Sequence, residues 1–196
     1  MTILYALVAR QNVVLAEYTF TSGNFPTITR VLLGKIPPED GKMSYVYDQY
    51  VFHYVVEKKL TFLCMADESF KRRVPFAFLD DVKDRWFATY GERGATAIAF
   101  AMNEDFSPVL QRQMNYYNDN PNSDPLSKVQ NQIKDVKNVA MKNIEKVLER
   151  GEVVDLLVHH GAVLDHGVDV QHNGHGEDLF GVGGVALRQH GTDALE

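Results

Sequence analysis

No apolar stretch in this chain approaches the ~20 residues that a membrane-spanning helix requires, and the amino-terminal residues lack the basic-then-apolar order of a secretory signal. The expectation is a chain that does not itself cross a bilayer. Cysteine is nearly absent. Cys64 is the only one, which excludes an internal disulfide, and its setting in Leu60-Thr61-Phe62-Leu63-Cys64-Met65-Ala66 reads as a buried strand thiol rather than a nucleophile. A basic surplus is missing too. Of 20 basic and 26 acidic residues, one (Arg188) and eight lie from Gly151 onward, leaving 19 against 18 in residues 1–150. The body is therefore nearly neutral, the acidity sits in the tail, and nucleic acid is not an expected partner.

Catalytic groupings are also missing. His53 lies in a strand-like run with no nucleophile or carboxylate pair beside it, so a packed or edge histidine is expected rather than a base. Asp80, Asp81 and Asp84 share a helical stretch with Lys83 and Arg85, which reads as a solvated charged face rather than a metal site. Gly91-Glu92-Arg93-Gly94 follows a helical pattern, not a strand, so it is a break and not a phosphate loop. No enzyme activity, cofactor or metal is expected.

What is present divides in two. An 11% aromatic content supports a genuine core. Residues 2–9 and 13–18 are strand-like runs separated by Arg10-Gln11-Asn12, as a hairpin requires. Ile28, Val31, Leu32 and Ile36 follow helical spacing until Pro37-Pro38 stops them. Residues 43–47, 50–56 and 60–66 read as a three-stranded meander. Pro75 opens a helix carrying Phe76, Leu79, Val82 and Phe87, and a further helix from near Asn103 carries Phe106, Val109, Leu110 and Met114. The order β-β-α-β-β-β-α-α predicts an α+β domain, a five-stranded antiparallel sheet flanked by helices, over residues 1–118. The polar, proline-containing residues 119–125 read as a linker.

From Leu126 the apolar spacing alternates between three and four. Leu126, Val129, Ile133, Val136, Ala140, Asn143, Val147, Arg150, Val154 and Leu157 are the a and d positions of a helix facing partner helices. Arg150 is on a d position. An unpaired guanidinium on a buried seam costs on the order of several kcal/mol, so either a partner supplies acceptors or the seam is not buried. The alternative is an amphipathic helix on its own globular body, with Arg150 snorkelling to water.

The run Asn143-Ile144-Glu145-Lys146-Val147-Leu148-Glu149-Arg150 resembles the centre of the R-SNARE motif of vesicle-associated membrane proteins. The body resembles the longin domain, a profilin-like fold. That likeness rests on Leu4-Tyr5-Ala6-Leu7-Val8-Ala9-Arg10, Gly23-Asn24-Phe25, Tyr50-Val51-Phe52-His53-Tyr54, Arg73-Val74-Pro75-Phe76-Ala77-Phe78-Leu79, Tyr90-Gly91 and residues 99–106. Together they are similar to a longin-type R-SNARE of the endosomal and vacuolar kind found in plants. The resemblance implies that Arg150 meets glutamines from three partner SNARE helices, the other seam residues forming the layers. It also implies that Met43, Ser44 and Tyr45 receive the SNARE segment in a fold-back, and that sorting adaptors bind the longin body. The location implied is the cytoplasmic face of endosomal, vacuolar or vesicle membranes.

The resemblance stops near Val158, giving a partial coiled-coil motif over residues 126–158. The next seam position is Gly161, and Gly167, Gly174, Gly176 and residues 181–184 of the divergent tail cannot sustain a long helix, at ~1 kcal/mol per glycine. Residues 159–196 are expected to be disordered, and the tail's six histidines are too irregularly spaced for a metal site. With no lipidation cysteine near the end either, a largely cytosolic chain is expected. Two readings remain open: an R-SNARE of the membrane-fusion machinery, and a soluble longin module that regulates SNARE assembly or binds adaptors without driving fusion. The missing anchor favours the second.

Overall fold

The computed structural model describes residues 2–23, 25–121 and 139–144. The first hairpin joins β1 (Ile3–Arg10) to β2 (Val13–Thr19), turning at Gln11 with φ 50°. Helix α1 (Phe25–Leu33) buries Ile28, Leu32 and Leu33. The meander comes next as β3 (Gly41–Tyr47), β4 (Tyr50–Glu57) and β5 (Leu60–Asp67), all antiparallel. Strand β5 then pairs with β1, placing the amino-terminal hairpin beside the end of the meander. Helices α2 (Arg73–Tyr90) and α3 (Asn103–Asp119) complete the body.

Helices cover both faces of the sheet, which is why β1, β4 and β5 are apolar almost without interruption instead of alternating with polar residues. The pleat still sorts the side chains. Leu60, Phe62, Cys64 and Ala66 pack towards α2 and α3, whereas Leu63 and Met65 pack with Ile28, Leu32 and Leu33 of α1. Trp86 is the hub of the first layer, with Phe106 edge-on and Tyr90 tilted, each at 4.8 Å between ring centres. Cys64 is fully buried, and burial raises its thiol pKa well above the ordinary value, so it packs as a small apolar group.

The sheet has six strands, not five, and is mixed, not purely antiparallel. Its order is β2-β1-β5-β4-β3-β6, and β6 (Met141–Asn143) runs parallel to β3. This extra strand comes from the stretch whose heptad spacing predicts helix. Periodicity records which side chains share a face; the open backbone edge of β3, which β6 satisfies, leaves no trace in it.

Candidate fold-back interface at the sheet edge

Strand β3 offers the arriving segment three things: backbone groups, the apolar α1 layer on one face and a polar anchor on the other. Ser44, Tyr45 and Val46 lie opposite Met141, Lys142 and Asn143, and the Ser44 amide donates to the carbonyl of Ala140 at 3.1 Å. Because the pleat alternates, Met43 and Tyr45 face the α1 layer and Ser44 faces α2. Met43 and Tyr45 line a cavity of about 520 Å³ together with Lys35, Pro37 and all three residues of β6. Tyr45 stacks on Tyr54 at 5.8 Å, and burial raises the Tyr54 phenol pKa, keeping it protonated.

On the other face the buried Ser44 hydroxyl is 2.8 Å from His53 Nδ1, and the imidazole meets Phe76 edge-on at 5.2 Å. Burial first, then the Arg72 guanidinium, pushes the His53 pKa down to about 3, so the ring is neutral. A neutral ring can accept at Nδ1 from the hydroxyl. Arg72, at the start of α2, donates from Nη1 to the carbonyl of Val139 at 3.4 Å.

The arriving segment crosses from one core layer to the other. Val139 packs against the α2/α3 layer, while Ile144 is completely buried in the α1 layer with Tyr45 and Tyr47. Neither belongs to the heptad seam. Val139 precedes the a-position Ala140 and Ile144 follows the d-position Asn143, and both of those seam residues are exposed. Sequence reasoning does not single out Val139, Ile144, Arg72 or the partnership of His53 with Ser44 as parts of a site. The available signal is the pair of branched apolar residues flanking the seam.

Ala140 and Asn143 therefore lie in an extended segment here rather than on the helix their spacing predicts. The remaining seam positions Leu126, Val129, Ile133, Val136, Val147, Arg150, Val154 and Leu157 fall outside the described residues, as do most of the linker and the whole tail. Two of the three carboxylates of α2 are paired with bases: Asp80 with Lys42 and Lys83, each at 3.3 Å, and Asp81 with Arg85 at 3.0 Å. Among the described residues no helix is long and apolar enough to cross a membrane.

Two family models match the chain, the regulated-SNARE-like longin domain over residues 15–110 and synaptobrevin over residues 125–168. Vesicle-associated membrane protein 7B of Dictyostelium discoideum is 51% identical over 166 residues, 84% of this chain and 64% of that protein. Vesicle-associated membrane protein 711 of Arabidopsis thaliana is 50% identical over 159 residues, 81% of this chain and 73% of that protein. Vesicle-associated membrane protein 7 of Mus musculus is 39% identical over 158 residues, 81% of this chain and 72% of that protein. The chain thus spans about two-thirds to three-quarters of the lengths of these relatives.

Proposed function

The chain belongs to the longin-bearing vesicle-associated membrane protein family, a family without catalytic activity, and we propose that it is an R-SNARE-type trafficking protein whose longin body holds its own SNARE segment closed. The observation that carries this reading is the pairing of β6 with β3, flanked by the docking of Val139 and Ile144. A segment paired as a strand cannot also be a helix. On a helix Ala140 and Asn143 share one face and can meet partner helices; in an extended segment residues three apart point to opposite faces. Closure and bundle entry are mutually exclusive at these positions.

The balance of energies suits a switch. Full burial of Ile144 contributes ~2–3 kcal/mol, and each backbone bond to β3 and the Arg72 bond ~1 kcal/mol. Ordering residues 139–144 opposes this at ~1–2 kcal/mol per residue. The two sides are of similar size, so glutamine-bearing SNARE helices that offer the segment a long apolar seam can draw it off β3. Arg150 then supplies the polar layer that sets register, and Leu126, Val129, Ile133, Val136, Val147, Val154 and Leu157 the apolar layers. Adaptors are the second partner class, because an opened β3 edge leaves backbone groups and the Tyr45 and Tyr47 side of the α1 layer for a foreign strand. An endosomal or vacuolar address rests on the family resemblance.

The test exploits the two faces of the segment. Val139→Ser with Ile144→Ser should accelerate assembly with glutamine-bearing SNARE helices, followed by the gain in helicity on mixing, because it removes only the closed state. Ala140→Asp with Asn143→Asp should leave β6 in place and weaken assembly. Equal assembly rates for the wild-type chain and the first variant reject closure. Failure of every partner set to induce helix in either chain rejects the SNARE reading.

A further inference from the structure

The closed chain encloses a space that neither the body nor β6 has alone. The cavity of about 520 Å³ beside Tyr45 takes one wall from Lys35, Pro37, Met43 and Tyr45 and the other from the three residues of β6. Its volume falls within the ~300–1,000 Å³ of sites that hold small molecules. It exists only while β6 is in place.

Register decides which groups face it. Lys142 lies opposite Tyr45, and residues paired across two strands point to the same side of a sheet, so the Lys142 side chain shares the α1 side with Tyr45 and Met43. Ile144, two residues further on, is buried in that same layer, as the alternation requires. Buried Tyr45 and half-buried Met43 form the apolar part, and exposed Pro37 stands at the mouth. Half-buried Lys35 is placed by its own backbone, whose amide donates to the Leu32 carbonyl at 2.9 Å in the last turn of α1.

The charge of this space is one-sided. Lys35 and Lys142 both line it, and none of its described lining residues is a carboxylate. Glu39, Asp40 and Asp48 lie near in sequence but outside the lining, and Asp40 is turned to the β4–β5 turn, where it accepts the Lys58 amide at 2.9 Å. Closure therefore brings a second ammonium group into a space that already holds one, and an anion between them is favoured where a neutral molecule is not. The Met43 thioether and the Tyr45 ring suit a flat aromatic body. A partner strand does not fit this description, because β6 already occupies the backbone edge of β3.

We propose that the cavity binds a small aromatic anion, its ring against Met43 and Tyr45 and its charge between Lys35 and Lys142. This site rests on the closed-state reading and gives that state a regulator. A ligand that needs both walls binds only the closed chain, so it holds β6 on β3 and withholds the segment from partner helices. Because closure is nearly balanced, modest affinity is enough to shift it.

The probe is 1-naphthyl phosphate, with 1-naphthol and inorganic phosphate as its two halves. Titration calorimetry on the full chain should show the whole probe binding about tenfold or more tighter than either half, with Lys142→Ala weakening it about tenfold and Lys142→Arg retaining it. Exchange of the Ser44 amide verifies that β6 stays paired in both variants. The probe should slow assembly of the wild-type chain with glutamine-bearing SNARE helices and leave the Val139→Ser, Ile144→Ser chain, which lacks the cavity, unaffected. A wild-type chain that assembles more slowly than this open variant, yet does not bind the probe, overturns the proposal and leaves closure standing. Equal binding by the open variant or by Lys142→Ala overturns it too, as does naphthol binding as tightly as its phosphate. A wild-type chain that assembles as fast as the open variant before any probe is added fails the closed-state reading itself, and the site with it. Self-association sensitive to Lys142→Ala, without probe binding, overturns the proposal by assigning the cavity to a second copy of the chain.

Discussion

The two edges of the sheet face the same physical problem and meet it differently. At the β2 edge the cover is local: the Phe100 amide donates to Val14, the Met102 amide to Leu15, and the Asn103 side-chain oxygen accepts from the Glu17 amide, all within the stretch that leads into α3. At the β3 edge the cover is β6, about a hundred residues further along the chain. A cover continuous with a core helix cannot leave without disturbing that helix. Under the proposed closure, a cover that comes from far along the chain can leave whole, which makes the β3 edge the place where regulation would act.

The sharpest way to break this comparison is Ile144→Asp. The charge cannot remain in the α1 layer, so β6 should leave, at a loss of about 3 kcal/mol to the closed form, and exchange of the Ser44 amide should accelerate to that of an uncovered strand edge, by the few-fold that a nearly balanced closure protects it. The Phe100 and Met102 amides should keep their protection. Equal acceleration at both edges shows that they are one cooperative unit.

Acid should also loosen the β3 side, because His53 lies directly behind Ser44. Its folded pKa of about 3 lies below the unfolded value of ~6.5, so folding favours the neutral ring. That stability is fully present above ~6.5 and is lost as the pH falls towards 3, at about 1.4 kcal/mol per pH unit. Urea titrations across this window should show the slope, and His53→Gln should flatten it.

At the other edge, Asn103→Ala removes the acceptor of the Glu17 amide and should lower stability by about 1–2 kcal/mol, read as a drop in thermal midpoint without faster exchange at Ser44. The smallest effect expected is that of Arg72→Met. Losing the bond to Val139 should weaken closure by about 1 kcal/mol, and removing the charge should raise the His53 pKa, which histidine proton resonances can follow.

Much of this is legible in the chain itself. The hairpin, the meander, the helix opening near Pro75 and the helix from Asn103 are local patterns of apolar spacing and turn chemistry, and the structure places elements at each, whereas the first helix ends at Leu33, short of Ile36 and the expected stop at Pro37-Pro38. Met43, Ser44 and Tyr45 enter through the family resemblance, and they lie on the strand that β6 joins. The heptad register from Leu126 to Leu157 is equally a property of sequence alone, and so is the position of Arg150 on it.

What only the tertiary structure decided is the state of residues 139–144. Their spacing is helical and stays so whether or not a partner is near, because side-chain periodicity is written residue by residue. Whether they coil or pair as a strand depends on the open edge of β3, the α1 layer beneath Tyr45 and the donor on Arg72. These groups come together only when strands far apart in sequence are aligned. A conformation that two sets of partners compete for cannot be read from the segment alone, since its free energy lies in the contacts each partner offers.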